Sequence, residues 1–537
     1  DRSPSRGLGD VYKRQELRGL IDNILNSYKR SDIVDMFVLC FQTRDCRGGK
    51  GERDLFYHFF LKLLERFPDD AYKLFDFIPE YGSWLDFNKF ALLTYDNDKY
   101  SGFYSRMIFF IVDQIKKDYS NYKAGERISL LAKWLPREGK SVDKNTDFLR
   151  QIAKLYYDDQ KKEWSKKDIE RAMRFYRKTM TEMNKHINTI ETYMCENRWD
   201  EIDFNNVPSR LLKKCRKAFL NEKLKSSELR NEDDKRIRCR EALLKRISDA
   251  LTNKKPTLKG KRLFPHEIVR EYMKNYDTSE NEQGLFEVQW MDIANEIQKM
   301  GKLNKGIVVC DTSGSMNGTP IEVCIALGLL ISSVAHVAYR DRIITFSAVP
   351  KWHNLSQCNT LKEKIINLRN ASWDMNTDFQ KAMDLILDTC VKNELKQQDV
   401  PEFMLILSDM QFDYTGNNSN QWNNNYDTLK SKWENAGYTI PTVIFWNLRG
   451  DVKTFEVKCD TKGVQMLSGF SPSLLKMLMK NGIDIEQPTP YQLFRDIIDD
   501  ERYNPIRDRL APEYMQENYE DPDMPELESI DANDDLI

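Results

Sequence analysis

Residues 307–316 read IVVCDTSGSM, an apolar run that stops at Asp311 and is followed by Ser313 and Ser315, two positions apart. Two hydroxyls at that spacing in a turn can point to one side, beside the carboxylate. A second apolar run, FMLILS, ends at Asp409, and Thr377 lies in the loop that leads into a helical stretch beginning near Asp378. One or two carboxylates with three hydroxyls form an all-oxygen, low-charge set suited to a hard cation, Mg²⁺ or Mn²⁺, with waters and one open position left over. Each residue also has a local role. The aspartates suit turns after strands, Ser315 suits a helix cap, and Thr377 with Gln380 has the spacing of a capping box. Joint placement at one sheet edge is what makes Asp311, Ser313, Ser315, Thr377 and Asp409 a candidate metal site.

Other chemistries fit less well. DTSGS lacks the second Asp of aspartyl phosphotransferases, no GxxxxGK[ST] loop exists, and GGKGE at 48–52 follows a helix where a phosphate loop needs a strand. Of the five histidines, only His336 and His353 lie in this region, and nothing places either beside a nucleophile. An enzyme is therefore the weakest of the functional readings.

For these oxygens to converge, a parallel sheet must carry them. After about residue 304 the apolar runs GIVVC, RIITFS, EFMLILSD and IPTVIFWNL alternate with helical stretches from Pro320, from Asp378 and over YDTLKSKWENA. That alternation predicts a doubly wound α/β domain, in which ligands sit outside the carboxyl ends of the strands. From Glu16 to about Lys274 the pattern is α-helical instead. Leu17, Leu20, Ile21, Ile24, Leu25 and Tyr28 mark one helix face, and a heptad seam runs from Ile169 through Met173, Tyr176, Met180, Met183, Ile187 and Ile190 to Met194. RDCRGGKGER, IPEYGSW and WLPREGK punctuate these helices, predicting helix pairs stacked as a HEAT-like α-solenoid.

The expected boundaries are a helical domain over 16–275, a connecting segment over 276–303, the α/β domain over 304–480, a C-terminal helical segment over 481–510 and an acidic disordered tail over 511–537. Within the connecting segment, Leu285, Phe286, Val288 and Trp290 are too apolar for a free linker and should pack against a domain. Residues 1–15, DRSPSRGLGDVYKRQ, lack the apolar core of a signal peptide and read as a non-native, adapter-derived segment.

With 537 residues, 40% hydrophobic and 31% charged, the chain can build two or three cores. No apolar run approaches the roughly 20 residues of a membrane span, and VCIALGLLISSVAHVAY reads as a buried helix, so no membrane partner is expected. Ten cysteines without a CxxC pair point to a reducing cytoplasm and no zinc site. Net charge is only -2, yet residues 161–270 hold 30 Lys and Arg against 17 Asp and Glu, whereas 511–537 hold ten acidic residues and no basic one. A basic block of this kind suits a polyanion, and Arg174, Arg177, Lys178, Arg210, Lys213, Lys214 and Arg216 are the candidate RNA phosphate contacts. Trp134 and Tyr176 could stack on bases, though core packing is the plainer role of each. Single-stranded RNA is favoured over duplex DNA, because no helix-turn-helix, zinc finger or basic zipper appears.

DTSGSM, Thr377 and LILSD together resemble the metal-ion-dependent adhesion site of von Willebrand factor A domains, matching at Asp311, Ser313, Ser315, Thr377 and Asp409. MNTD stands where that family commonly has a glycine-rich loop. The resemblance implies a Rossmann-like fold and an open metal position that takes a carboxylate from a protein partner. The stretches RDCRGGKGERDLFYHFFLKLLERFP, IPEYGSWLDF, LAKWLPRE, YRKTMTEMN, VPSRLLKKC, VIFWNLRG and LSGFSPSLLK resemble a two-domain family that joins a helical N-terminal half to such a domain, over about residues 31–510. More distantly, the architecture is similar to TROVE-module Ro-type ribonucleoproteins, which implies RNA binding by the helical half. The expected function is thus a non-catalytic RNA-binding scaffold with a metal-dependent adhesion site; the alternative is a metal-dependent protein-protein interaction module with no nucleic-acid role.

Overall fold

The computed structural model describes residues 30–274, 278–300, 305–311, 313–337, 339–346, 350–370, 379–409, 419–449, 464–468, 494–495 and 497–510. Thr377, the segment 1–15, the predicted face at 17–28 and the tail 511–537 lie outside them. Two compact units result, the first drawn from Asp1–Gly125, Ser129–Lys178 and Thr489–Ile537, the second from Glu126–Ile128 and Thr179–Pro488.

Among the described residues, six of the longer helices come first: α1 (Arg30–Arg44), α2 (Asp54–Arg66), α3 (Leu85–Thr94), α4 (Ser101–Lys123), α5 (Phe148–Tyr157) and α6 (Lys166–Ile187). In α2 the run DLFYHFFLKLLER is so rich in aromatic and aliphatic residues that Phe56, Phe59, Phe60, Leu63 and Leu64 are all buried. Their rings build the core of the first unit, with Phe60 5.4 Å from Phe90 of α3 and 6.2 Å from Phe103 of α4. Edge-to-face and tilted pairs of this kind add to the area that large rings bury. The seam predicted for one helix from Ile169 to Met194 is interrupted: α6 ends at Ile187 and a short helix resumes at Ile190. Asn188 adopts a left-handed φ of 49° between them, a conformation that Asn tolerates better than other side chains with a Cβ. Tyr176, Met180 and Met183 of the seam are buried.

The second unit contains α7 (Asp234–Asn253), α8 (Pro265–Lys274), α9 (Glu280–Met300), α10 (Thr319–Val334), α11 (Leu361–Arg369), α12 (Phe379–Lys392) and α13 (Ser419–Asn435) beside a six-stranded sheet. Its strands are β1 (Gly306–Asp311), β2 (Arg342–Phe346), β3 (Lys351–Asn354), β4 (Phe403–Ser408), β5 (Thr442–Asn447) and β6 (Val464–Ser468), in the spatial order β3-β2-β1-β4-β5-β6. All neighbours are parallel except β2 and β3. Four strands fall on the four apolar runs. The other two do not announce themselves: β3 is the short, half-exposed KWHN and β6 is VQMLS.

Alternating side chains of the buried strands feed two cores. Val308 and Cys310 point to α10 and α11, whereas Ile307 and Val309 meet α12 and α13. Helix α10 approaches β1 so closely that a Cβ on Gly328 would lie 2.7 Å from Cys310 Sγ. This α10 is the run read as a buried helix, and no helix among the described residues is long and apolar enough to cross a membrane.

Helices α8 and α9 belong to that same first core. Phe286, Trp290, Ile293 and Ile297 of α9 pack with the face that covers Val308, while Leu285 and Val288 pack against α7. Arg270 of α8 donates from Nε to Glu322 of α10 at 2.6 Å, and Glu287 of α9 accepts the Leu361 amide at the start of α11. Sequence composition places a boundary near residue 276, but compactness places it near 178, because these helices bury their apolar faces on the sheet side. The last described helix, α14 (Asn504–Leu510), lies in the first unit.

Candidate functional site

The strand order reverses between β1 and β4, since the chain runs outward through β2 and β3 on one side and through β5 and β6 on the other. At such a switch point the loops after adjacent parallel strands diverge and leave a crevice at the carboxyl edge. Register places Cys310 opposite Leu407, so Asp311 stands beside Ser408 and Asp409 follows at the same edge. The loop after β1 turns back at once: the Asp311 side chain accepts the Ser313 amide at 2.8 Å through Oδ1. That turn leaves the Ser313 and Ser315 hydroxyls 2.9 Å apart.

Asp311 is fully buried, and Ser408 donates its hydroxyl to Oδ2 at 2.6 Å. Burial, first, and the nearby Asp409 charge push the Asp311 carboxyl above its ordinary range, against the pull of hydrogen bonds from Ser408 and Ser313. Asp409 is also fully buried, with Arg449 Nη1 3.4 Å from its Oδ2. That same nitrogen lies 3.4 Å from the carbonyl oxygen of Ser315. Arg449 follows β5, where its amide is held by Asn447 Oδ1 at 2.8 Å.

The structure therefore brings Asp311, Ser313, Ser315 and Asp409 to one edge, while Thr377 lies outside the described residues. The residues present suit a hard divalent cation. Two buried carboxylates and two adjacent hydroxyls offer only oxygen, and among the described residues the hydrogen bonds that Asp311 accepts come from neutral donors, Ser408 and Ser313. Asp311, Ser313, Ser315 and Asp409 would hold the ion, which when bound supplies a Lewis-acidic position for an anionic group. Arg449 was missed by sequence reasoning. It sits two residues past a strand, more than 130 positions from Ser315, and no local signal links the two.

The seven candidate RNA contacts fall in two groups. In the first unit Arg174, Arg177 and Lys178 are all exposed on α6, and Arg177 is paired with Glu138 at 2.8 Å. In the second unit Arg210 and Lys214 are exposed, with the Arg210 guanidinium 5.4 Å from the Phe264 ring. Lys213 and Arg216 are committed elsewhere. Lys213 lies 3.4 Å from Glu271, and Arg216 reaches Glu271 at 2.9 Å and the buried Glu282 at 2.7 Å. Of the two aromatic candidates, Tyr176 is buried and donates to the Pro136 carbonyl at 3.1 Å. Trp134 is half-buried beneath Lys133.

Residues 86–303 match a domain of unknown function, DUF2828, and residues 305–518 match another, DUF7788. The chain is 30% identical over 513 residues to "Uncharacterized protein L728" of Acanthamoeba polyphaga mimivirus, an alignment that takes in 92% of this chain and 84% of the relative. Among solved structures, the crystal structure of the Deinococcus radiodurans RO (RSR) protein aligns over 79% of this chain and 94% of that one, with 11% identity and a TM-score of 0.30.

Proposed function

The chain belongs to the family of the mimivirus protein L728, a kinship that leaves its activity to be argued from its own residues, and we propose that it is a non-catalytic RNA-binding scaffold whose α/β unit carries a metal-dependent adhesion site. The observation that carries the metal part is the convergence of Asp311, Ser313, Ser315 and Asp409 at the switch point of the sheet. Mg²⁺ or Mn²⁺ would bind there, leaving one position for an acidic side chain of a protein partner. The likeness of DTSGSM and LILSD to the adhesion site of von Willebrand factor A domains supports the same reading. RNA binding rests on the basic block and on the exposure of Arg174, Lys178, Arg210 and Lys214.

A thermal-shift series tests the metal site. An ion that binds only the folded state stabilises it by mass action, by about 2.7 kcal/mol at a hundredfold excess over Kd. MgCl₂ or MnCl₂ should raise the melting temperature of the wild type, and Asp311→Ala should remove that rise while circular dichroism shows the fold intact. A mutant that still responds in full would eliminate this site. If instead the wild type shows the metal response but binds no RNA at low ionic strength, the metal-dependent protein-interaction module is what remains.

A further inference from the structure

Aromatic rings are usually hidden, because each buries a large apolar area. In the first unit a cluster of them stays at the surface where α5 meets α6. Tyr157 and Phe175 are 41% and 40% exposed. Phe175 stacks on Tyr156 with ring centroids 5.3 Å apart and 28° between planes, and meets Tyr157 edge-on at 5.7 Å. Trp164, in the connection between the helices, extends the cluster at 6.4 Å from Tyr157, and its indole nitrogen is satisfied by the Lys161 carbonyl at 2.9 Å.

Cations frame these rings. The Lys154 and Lys161 ammonium groups lie 5.7 and 5.6 Å from the Trp164 ring. On α6, Arg171 and Lys178 stand four residues before and three after Phe175, the spacing that makes helix neighbours, and both are exposed. Between residues 154 and 178 there are nine Lys and Arg against five Asp and Glu. Two of those acids are already matched, Asp159 by Lys116 at 3.0 Å and Asp168 by Lys161 at 2.9 Å. Excess positive charge around an exposed ring cluster complements a ligand with flat apolar faces strung on a polyanionic backbone.

We propose that Tyr157, Trp164 and Phe175 form a stacking platform for the bases of single-stranded RNA, with Arg171 and Lys178 receiving its phosphates. This rests on the RNA-binding reading above and gives that reading a location distinct from Trp134 and Tyr176. Recognition here is tolerant of sequence, since every base has a π-face, and it discriminates against duplexes, whose bases are stacked on one another.

Anisotropy of a fluorescein-labelled, unstructured single-stranded RNA, titrated with the full chain at several salt concentrations, separates the two kinds of contact. Tyr157→Ala with Phe175→Ala should weaken binding roughly tenfold or more per base unstacked, without changing the slope of log K against log salt, because no phosphate contact is lost. Arg171→Ala with Lys178→Ala should make that slope shallower by about 1.4, at roughly 0.7 per contact on a single strand. The ring-preserving pair Tyr157→Phe with Phe175→Tyr should bind as the wild type does, which guards against a general loss of fold. An unlabelled duplex should compete poorly. Unchanged affinity in the alanine ring variant, or lost affinity in the ring-preserving one, overturns the platform while leaving RNA binding by the chain in place. A wild type that binds no RNA overturns the functional reading itself, and the platform with it.

Discussion

Single side chains decide how the candidate metal site behaves. Asp311 and Asp409 bring two buried negative charges to one edge, and Arg449 is the cation nearest to them by hydrogen-bonding distance among the described contacts. At 3.4 Å from Asp409 Oδ2, its guanidinium shares a carboxylate with any ion bound there. Arg449→Gln should therefore raise the affinity for Mg²⁺ or Mn²⁺, seen by calorimetric titration as a several-fold lower Kd, and lower the metal-free melting temperature. Weaker metal binding in that variant would mean that Arg449 supports the ion instead of competing with it. His266 gives a separate pH signature. It stacks on Phe264 with centroids 5.5 Å apart, and burial, with Arg270 and Lys213 nearby, lowers its pKa from about 6.5 to about 4. A depressed histidine binds fewer protons when folded than when unfolded, so its contribution is fully present above pH 6.5 and is lost as the pH falls towards 4. The shift is worth about 3 kcal/mol. Urea denaturation at pH 7 and pH 4.5 should show a smaller loss for His266→Phe than for the wild type; equal losses would assign the acid sensitivity to other groups.

Whole elements were legible in the sequence to the extent that their signal is local. The carboxylate and hydroxyls after β1 could be read because they interrupt an apolar strand, and the burial of Leu285, Phe286, Val288 and Trp290 in α9 follows from their apolar character. The strand β3 was not legible, for KWHN is a half-exposed edge with no apolar run, and its pairing to β2 is antiparallel in an otherwise parallel sheet. The C-terminal helical segment over 481–510 was expected, but nothing local announces what it packs against. Tyr503, Ile506 and Leu510 are buried in the first unit, Arg495 and Arg502 pair with Asp35 and Asp45, and Arg509 reaches Asp76 at 3.1 Å. The Tyr81 hydroxyl donates to the Arg502 carbonyl at 2.8 Å, and the Tyr81 and Tyr503 rings lie 5.6 Å apart. These partners are more than 400 residues apart in sequence, so periodicity cannot pair them. Ending the chain at residue 488 should remove three buried apolar side chains, whose burial is worth about 1.5 to 3 kcal/mol each, and leave Asp45 buried without its guanidinium. Calorimetry should show the first unit melting at least several degrees lower, or already unfolded. An unaltered melting profile would show that the segment adds nothing to that unit's stability.

Across the whole molecule, excess positive charge and available positive charge are different quantities. The basic block counts 30 Lys and Arg over residues 161–270, yet its members divide into structural cations and solvated ones. Arg216 and Lys217 both reach Glu282, which is only 2% exposed, and Lys217 also lies 3.0 Å from the fully buried Glu222. Removing one partner from a buried carboxylate costs about 3 to 5 kcal/mol, because the remaining charge has neither water nor a counterion. Such a network was invisible in the charge count, since Glu271 and Glu282 lie 55 to 66 residues from the cations they hold. Lys213→Ala with Arg216→Ala should therefore act as a stability lesion, lowering the denaturant midpoint, and any weakening of RNA binding should follow the fraction unfolded. Arg174, Lys178, Arg210 and Lys214 are exposed, and their joint replacement by Ala should cost little stability, since exposed charges seldom contribute more than about 0.5 kcal/mol each. If all four meet phosphates, the salt slope of single-stranded RNA binding should become shallower by about 3, with affinity falling for every RNA sequence alike. A fourfold variant that keeps the wild-type slope would show that the surplus charge of this chain is surface alone, and would leave the metal edge at Asp311 as the place where its function resides.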